Sequence, residues 1–137
     1  MNDKQLDERQ LALRNKFGFQ SFLLLMVLIL IEAFLREEGI IFADPFNSAL
    51  LTILIAAIYN SIRGLIADVY ARNYKSTIKI TYPLLIFDLF VLITNSVRDG
   101  NFHLIYNGKI TSIAIFLFAF IFLSIHTIIY TIKYKKE

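Results

Sequence analysis

The sequence contains no cysteine, and its 137 residues include only 5 glycines and 2 prolines. The absence of thiols excludes disulfides, thiol redox chemistry and thiolate metal sites. Charged residues are also scarce, at 18% of the chain compared with about 25% in a typical soluble domain. Hydrophobic residues make up 57%, which is more apolar surface than one soluble domain of this length can keep from water. We therefore expect lipid to cover part of the protein.

Four long apolar runs are separated by short polar connections. Each run can cross a hydrocarbon core of about 30 Å as a helix that rises about 1.5 Å per residue. The predicted spans are residues 17–35, 46–67, 80–97 and 110–132. The pair Asn107-Gly108 predicts a turn in the third connection. The fold class expected is therefore an all-α membrane protein, a single domain built as an antiparallel bundle of four transmembrane helices.

The segments outside the spans are short. Residues 2–16 are expected to form an amphipathic helical segment that lies on the membrane surface, and residues 133–137 a tail. An alternative for residues 2–16 is a solvated helical extension of the first span. Loops of this size leave no room for a catalytic domain outside the membrane.

Lysines and arginines are distributed unequally between the two ends of the spans. Eleven lie in the N-terminal segment, the second connection and the tail, and only three lie at the opposite end. Because cytoplasmic loops are enriched in these residues, both termini are predicted to be cytoplasmic and the protein to lie in the cell membrane. The net charge of +3 does not indicate nucleic-acid binding, because the bases flank apolar spans and form no patch on a globule.

Small and polar residues recur on one face of each predicted span, where they favour close contact between helices in a membrane. In the third span the two members are Asp88 and Asn95, which are seven residues apart and therefore share a face. The clearest stripe runs along the second span: Ser48, Thr52, Ala56, Asn60, Gly64 and Ala67.

Asp88 is the most informative single residue, because it lies in the middle of the third span. A charged aspartate at the bilayer centre costs about 3 kcal/mol or more, so it should be neutral or paired. One hypothesis is a buried network in which Asp88 pairs with Arg63 and His126 hydrogen-bonds to one of them, with Asn60 and Asn95 nearby. Such a network could relay protons or cations. The alternative, which we favour, is structural contact between helices, with Arg63 extending to the cytoplasmic interface.

Two further groups of charged residues are candidates for contacts at the membrane surfaces. Glu32 and Arg36 are four residues apart on the first span and are predicted to pair at its outer rim. In the N-terminal segment, Arg9, Arg14 and Lys16 are predicted to contact anionic lipid or a partner protein.

The sequence gives no support to enzymatic chemistry. No serine or threonine lies in a recognisable catalytic motif, and there is no glycine-rich phosphate loop. His103 and His126 are expected on opposite sides of the membrane, so they cannot share a metal ion. We therefore expect no catalytic residues, no cofactor and no metal site.

The beginning of the chain carries a family resemblance. Asp7-Glu8-Arg9-Gln10 is followed by Arg14, Lys16, Gly18 and an apolar run, and the second span ends in residues 58–63, Ile-Tyr-Asn-Ser-Ile-Arg. Together these features resemble a group of small, uncharacterised multi-pass membrane proteins of Gram-positive bacteria, over about half of the chain. The resemblance implies a bacterial membrane protein with no assigned activity, sometimes encoded near a helix-turn-helix regulator.

These observations leave three functions open. The first is a non-enzymatic accessory or regulatory membrane protein that acts through contacts with lipid, with copies of itself or with another membrane protein. The second is a small oligomeric transporter or channel built around Asp88. The third is an immunity protein against a membrane-active peptide.

Overall fold

The computed structural model describes residues 7–69, 74–100 and 102–134, and it is all-helical apart from one small hairpin. The helices are α1 (Glu8–Glu37), α2 (Pro45–Ile66), α3 (Tyr74–Asp99) and α4 (Ser112–Tyr134). Each is long and apolar enough to cross a membrane. The prediction of four such helices is confirmed. The parts of the predicted N-terminal segment and tail at residues 2–6 and 135–137 lie outside the described residues.

α1 begins with a complete capping box. The Asp7 carboxylate accepts a hydrogen bond from the Gln10 backbone N–H at 2.7 Å, and the Gln10 side chain accepts one from the Asp7 N–H at 3.2 Å. From this start the helix runs without a break through Lys16 and Phe17 to Glu37. The described part of the predicted N-terminal segment forms the first turns of α1, as in the alternative of a helical extension of the first span, and its position at the membrane surface stays a prediction. The physical reason for the continuous helix is that strong helix formers follow the cap and no proline interrupts them.

The third connection contains the hairpin, with strands β1 (Ile105–Tyr106) and β2 (Lys109–Ile110). Asn107 and Gly108 between them have φ angles of 49° and 75°. Two successive residues in this left-handed region make the tight turn that matches the twist of a hairpin, and asparagine and glycine tolerate it best. Ile110 also donates its backbone N–H to the Phe42 carbonyl at 2.8 Å, so the hairpin contacts the α1–α2 connection.

The principal helix contacts join α1 to α2, α2 to α4, and α4 to α3. α2 and α4 thus each have two main neighbours, whereas α1 and α3 each have one. On α2 the packed face contains Ser48, Thr52, Ala56 and Gly64, as the small-residue stripe predicts, but Asn60 is exposed. On α3 the packed face contains Asp88 and Leu92, and Asn95 is half-buried.

Candidate functional site

The densest polar cluster lies where α1 begins, α2 ends and α4 ends. Asp68 is its centre: the Tyr134 hydroxyl donates a hydrogen bond to Asp68 Oδ1, and Lys133 Nζ lies 3.4 Å from the same oxygen. Gln10 Nε2 donates to the Asp68 backbone carbonyl at 3.0 Å, and Lys133 Nζ donates to the Leu65 carbonyl at 2.6 Å. We call Gln10, Asp68, Lys133 and Tyr134 the Asp68 cluster. It joins three parts of the chain that are far apart in sequence.

The local backbone explains why Asp68 occupies this position. α2 closes with hydrogen bonds from the Ala67 N–H to the Arg63 carbonyl and from the Val69 N–H to the Gly64 carbonyl. Between them Asp68 has a φ of 55°, the left-handed conformation that aspartate adopts more readily than most residues. Val69 is 2% exposed, so its burial fixes the chain direction and leaves the Asp68 carboxylate directed at α4.

A second polar cluster lies at the opposite end of α1 and α2. Arg36 Nε donates to Glu32 Oε1 at 2.8 Å, and Arg36 Nη2 donates to the Ala43 carbonyl at 3.2 Å. Ala43 is fully buried and forms a bridge with Ile110 of β2. Lys109 Nζ pairs with Asp44 Oδ1 at 2.9 Å in the same region. The structure therefore brings the predicted pair Glu32–Arg36 together. The hydrogen bond from Arg36 to the Ala43 carbonyl also holds the α1–α2 connection against α1.

An open groove of about 390 Å³ lies between α1 and α2 beside this pair. Apolar side chains line most of it, and Glu32 and Arg36 lie on its border. Its apolar lining residues are Leu25, Ile29, Pro45, Ala49 and Ile53. Because Arg36 is already bonded to Glu32 and Ala43, the groove has no uncompensated charge from this pair to offer a ligand.

The predicted pair of Asp88 and Arg63 is not formed among the described residues. Arg63 is exposed, and its guanidinium carbon lies 4.9 Å from the centroid of the Phe17 ring on α1. Asp88 is 5% exposed in the contact of α3 with α4, and no hydrogen bond or ion pair joins its carboxyl to any described residue. The reason for the separation is the helix order, because α4 lies between α2 and α3.

The other proposed network members lie on three different helices: Asn60 on α2, Asn95 on α3 and His126 on α4. Asn60 is exposed on α2. His126 is half-buried on α4, where its ring stacks on Tyr130 with centroids 6.3 Å apart. Within residues 7–69, 74–100 and 102–134, no three histidine or acidic side chains are grouped so that they could hold a metal ion.

The three bases predicted to contact lipid or a partner are all exposed on the first turns of α1: Arg9, Arg14 and Lys16. No described side chain forms an ion pair with any of them. Their charges are therefore available to another molecule.

Sequence reasoning missed the Asp68 cluster. Neither Asp68 nor Tyr134 is singled out by a sequence pattern. A signal in the composition did exist, because Asp68 is an acid in a connection otherwise dominated by bases. Its partners on α1 and α4 could not be read from any local pattern.

The fold defines the class of the protein: an all-helical chain with four helices capable of spanning a membrane. No family model matches the chain, and no curated protein or solved structure shows a significant match to it. The resemblance to small membrane proteins of Gram-positive bacteria remains a prediction.

Proposed function

We propose that the protein is an integral membrane protein, an antiparallel bundle with both termini in the cytoplasm, and that it is a non-enzymatic accessory or regulatory protein. It acts through contacts of its exposed helix faces and its basic end with lipid or with another membrane protein. The single observation that carries this proposal is the separation of Arg63 from Asp88, because a charge relay requires them to communicate.

The exposed apolar faces support insertion into a bilayer. Leu30 on α1 and Ile86 on α3 are each 67% exposed, and comparable residues occur along all four helices. Water would impose a large cost on a contiguous apolar surface of this size, whereas lipid tails would not. The lysines and arginines at the end of the bundle that contains the Asp68 cluster support the orientation, since segments rich in these residues favour the cytoplasmic side.

α3 offers an accessible face for a partner. Its principal contact is with α4, and its other sides expose an apolar stripe at helical spacing. The stripe comprises Ile80, Pro83, Phe87, Phe90, Ile93 and Val97. Lipid can cover this stripe in the monomer, and a second transmembrane protein can replace the lipid without exposing polar groups.

The proposal is tested by placing a photoreactive amino acid at Phe90 in cells and looking for a discrete crosslinked protein. Leu92 is the matched control, because it is two residues away and 7% exposed against α4. We expect a protein adduct from Phe90 and none from Leu92. Only lipid adducts from Phe90 would contradict a protein partner on this face.

A second candidate, a small oligomeric transporter or channel, is favoured by one observation. Asp88 Oδ2 is buried without a hydrogen-bond partner among the described side chains, and such polar groups within spans commonly serve ion pathways. Proteoliposomes with a trapped pH-sensitive dye separate the two candidates. The accessory function predicts the same proton leak as in empty liposomes, whereas a transporter predicts a flux that Asp88→Asn abolishes.

A further inference from the structure

The relative position of α1 and α2 is defined at the basic end by three contacts. The Tyr59 hydroxyl donates to Gln20 Oε1 at 3.2 Å, the Arg63 guanidinium lies over Phe17, and Gln10 bonds to Asp68. α1 and α2 are therefore antiparallel here: going towards the basic end, residue numbers fall along α1 and rise along α2. Residues 14–16 of α1 lie level with residues 63–66 of α2, which places Arg14 and Lys16 within about one helical turn of Arg63 along the axis.

These three cations have no anionic partner in the described parts of the chain. Arg14, Lys16 and Arg63 are all exposed, and none takes part in a salt bridge or hydrogen bond through its side chain with a described residue. Two of the described acids at this end are engaged elsewhere: Asp68 receives Tyr134 and Lys133, and Asp7 caps α1. Glu8 is exposed in the first turn of α1, two turns before Lys16, and the charge around Lys16 and Arg63 is positive.

Phe17 positions Arg63 for binding an anion. The Phe17 side chain is 5% exposed, so the ring is a fixed platform for the guanidinium. Stacking on a ring covers one face of the guanidinium and leaves the N–H donors in its plane available. The N–H groups of a guanidinium can donate two parallel hydrogen bonds to two oxygens of a phosphate group.

An apolar stripe continues from the basic residues along α1. Lys16, Phe19 and Leu23 follow the i, i+3, i+7 spacing of one helix face, and all three are exposed. A basic residue at the end of an exposed apolar stripe is complementary to a molecule with an anionic head group and a hydrocarbon chain. An acidic peptide would bind the base but would leave the apolar stripe uncovered.

We propose that Lys16 and Arg63 form a binding site for the phosphate group of an anionic phospholipid, with an acyl chain along Phe19 and Leu23. The inference rests on the proposed membrane location and names the lipid contacted at the basic end. In the site Arg63 supplies a guanidinium held over the Phe17 ring, and Lys16 supplies charge from the adjacent position on α1.

The test is native mass spectrometry of the full-length protein, purified in mild detergent and titrated with phosphatidylglycerol or phosphatidylcholine. We expect the protein to retain phosphatidylglycerol in preference to phosphatidylcholine. Arg63→Gln and Lys16→Gln should each weaken phosphatidylglycerol binding about fivefold, since a base near an anionic surface contributes that much attraction. Phe17→Leu should also weaken binding, because it removes the platform and keeps the charge.

Arg14→Gln is the matched control, since it removes the same charge at the same level of α1 but from the side opposite Lys16, which is two residues away. We expect it to change binding less than either site variant. An equal loss in Arg14→Gln would show diffuse surface attraction and overturn the site, as would equal retention of the two lipids. Displacement of the lipid by millimolar inorganic phosphate would assign the site to a soluble anion, and displacement by an acidic peptide would assign it to a protein; either overturns the lipid assignment.

Each variant's thermal unfolding midpoint in detergent shows whether it is folded. An unfolded Arg63→Gln leaves the comparison to Arg14→Gln and Lys16→Gln, which lie on the exposed surface of α1. The lipid measurement is independent of crosslinking at Phe90 and of proton flux. Loss of the lipid site with an intact Phe90 adduct would therefore reject this inference alone.

Discussion

The hydroxyl of Tyr134 donates a hydrogen bond to the carboxylate of Asp68, which lies 66 positions earlier in the chain. Tyr134 is 5% exposed, so its phenol is held against the α2–α3 connection by packing as well as by this bond. Asp68 simultaneously binds Gln10 of α1 through its carbonyl. One residue of a connecting segment thus fixes the relative positions of three helices at this end.

Tyr134→Phe should destabilise the protein by about 1–2 kcal/mol, because it removes a hydrogen bond to the Asp68 carboxylate. The measurement is the free energy of unfolding in mixed detergent micelles. Tyr106→Phe is the control, since Tyr106 is exposed on β1 and its hydroxyl bonds to no described residue. Equal effects of the two substitutions would contradict a stabilising role for the Asp68 bond.

The two ion pairs at the hairpin end should differ in strength. Arg36→Gln breaks contacts with both Glu32 and the Ala43 carbonyl and should cost about 1–3 kcal/mol. Lys109→Gln breaks a pair whose side chains are 43% and 63% exposed, and it should cost less than about 1 kcal/mol. Thermal unfolding of both variants checks which substitution destabilises the protein more. A larger loss of stability from Lys109→Gln would contradict the prediction.

Asp88→Asn should change the free energy of unfolding by less than about 1 kcal/mol, because it breaks no ion pair with a described residue. Arg63→Gln should cost about 0.5–1 kcal/mol through loss of its contact with Phe17. Since the two side chains are separate, the double variant should equal the sum of the single effects within about 0.5 kcal/mol. A coupling energy well above this in the double-mutant cycle would show that they interact in the membrane.

The proposed orientation predicts opposite labelling at the two ends of α1. A single cysteine at Glu38 should react with a membrane-impermeant maleimide in intact cells, whereas one at Glu8 should react only after permeabilisation. Both positions are exposed acids, so the two substitutions change the charge equally. Labelling of Glu8→Cys alone in intact cells would invert the topology.

The helices were predictable because a long apolar run carries its own signal. Residues 46–67 were predicted as the second span, and α2 is Pro45–Ile66. The stripe of Ser48, Thr52 and Ala56 was also predictable, since small residues at a spacing of four mark a close helix contact. These features depend on composition and periodicity within a single element.

The arrangement of the helices was not predictable in the same way. The pairing of Asp88 with Arg63 was predicted from their places within single spans, and the position of α4 between α2 and α3 separates the two helices that carry them. The partner of Arg63, the Phe17 ring, is an ordinary apolar residue in the sequence. For the hairpin, Asn107-Gly108 predicted the turn but not the strands. Strands only two residues long have no sequence signal of their own, and here the Ile110 N–H also bonds to the Phe42 carbonyl of a distant connection.

The two hydrogen-bonding groups of Asp68 meet partners that are made at different points of synthesis. Its carbonyl binds Gln10, and both residues are made before α3. Its carboxylate binds Tyr134, which is made only at the end of α4. The contact between α1 and the end of α2 can therefore form first, and the same aspartate can then receive the end of α4.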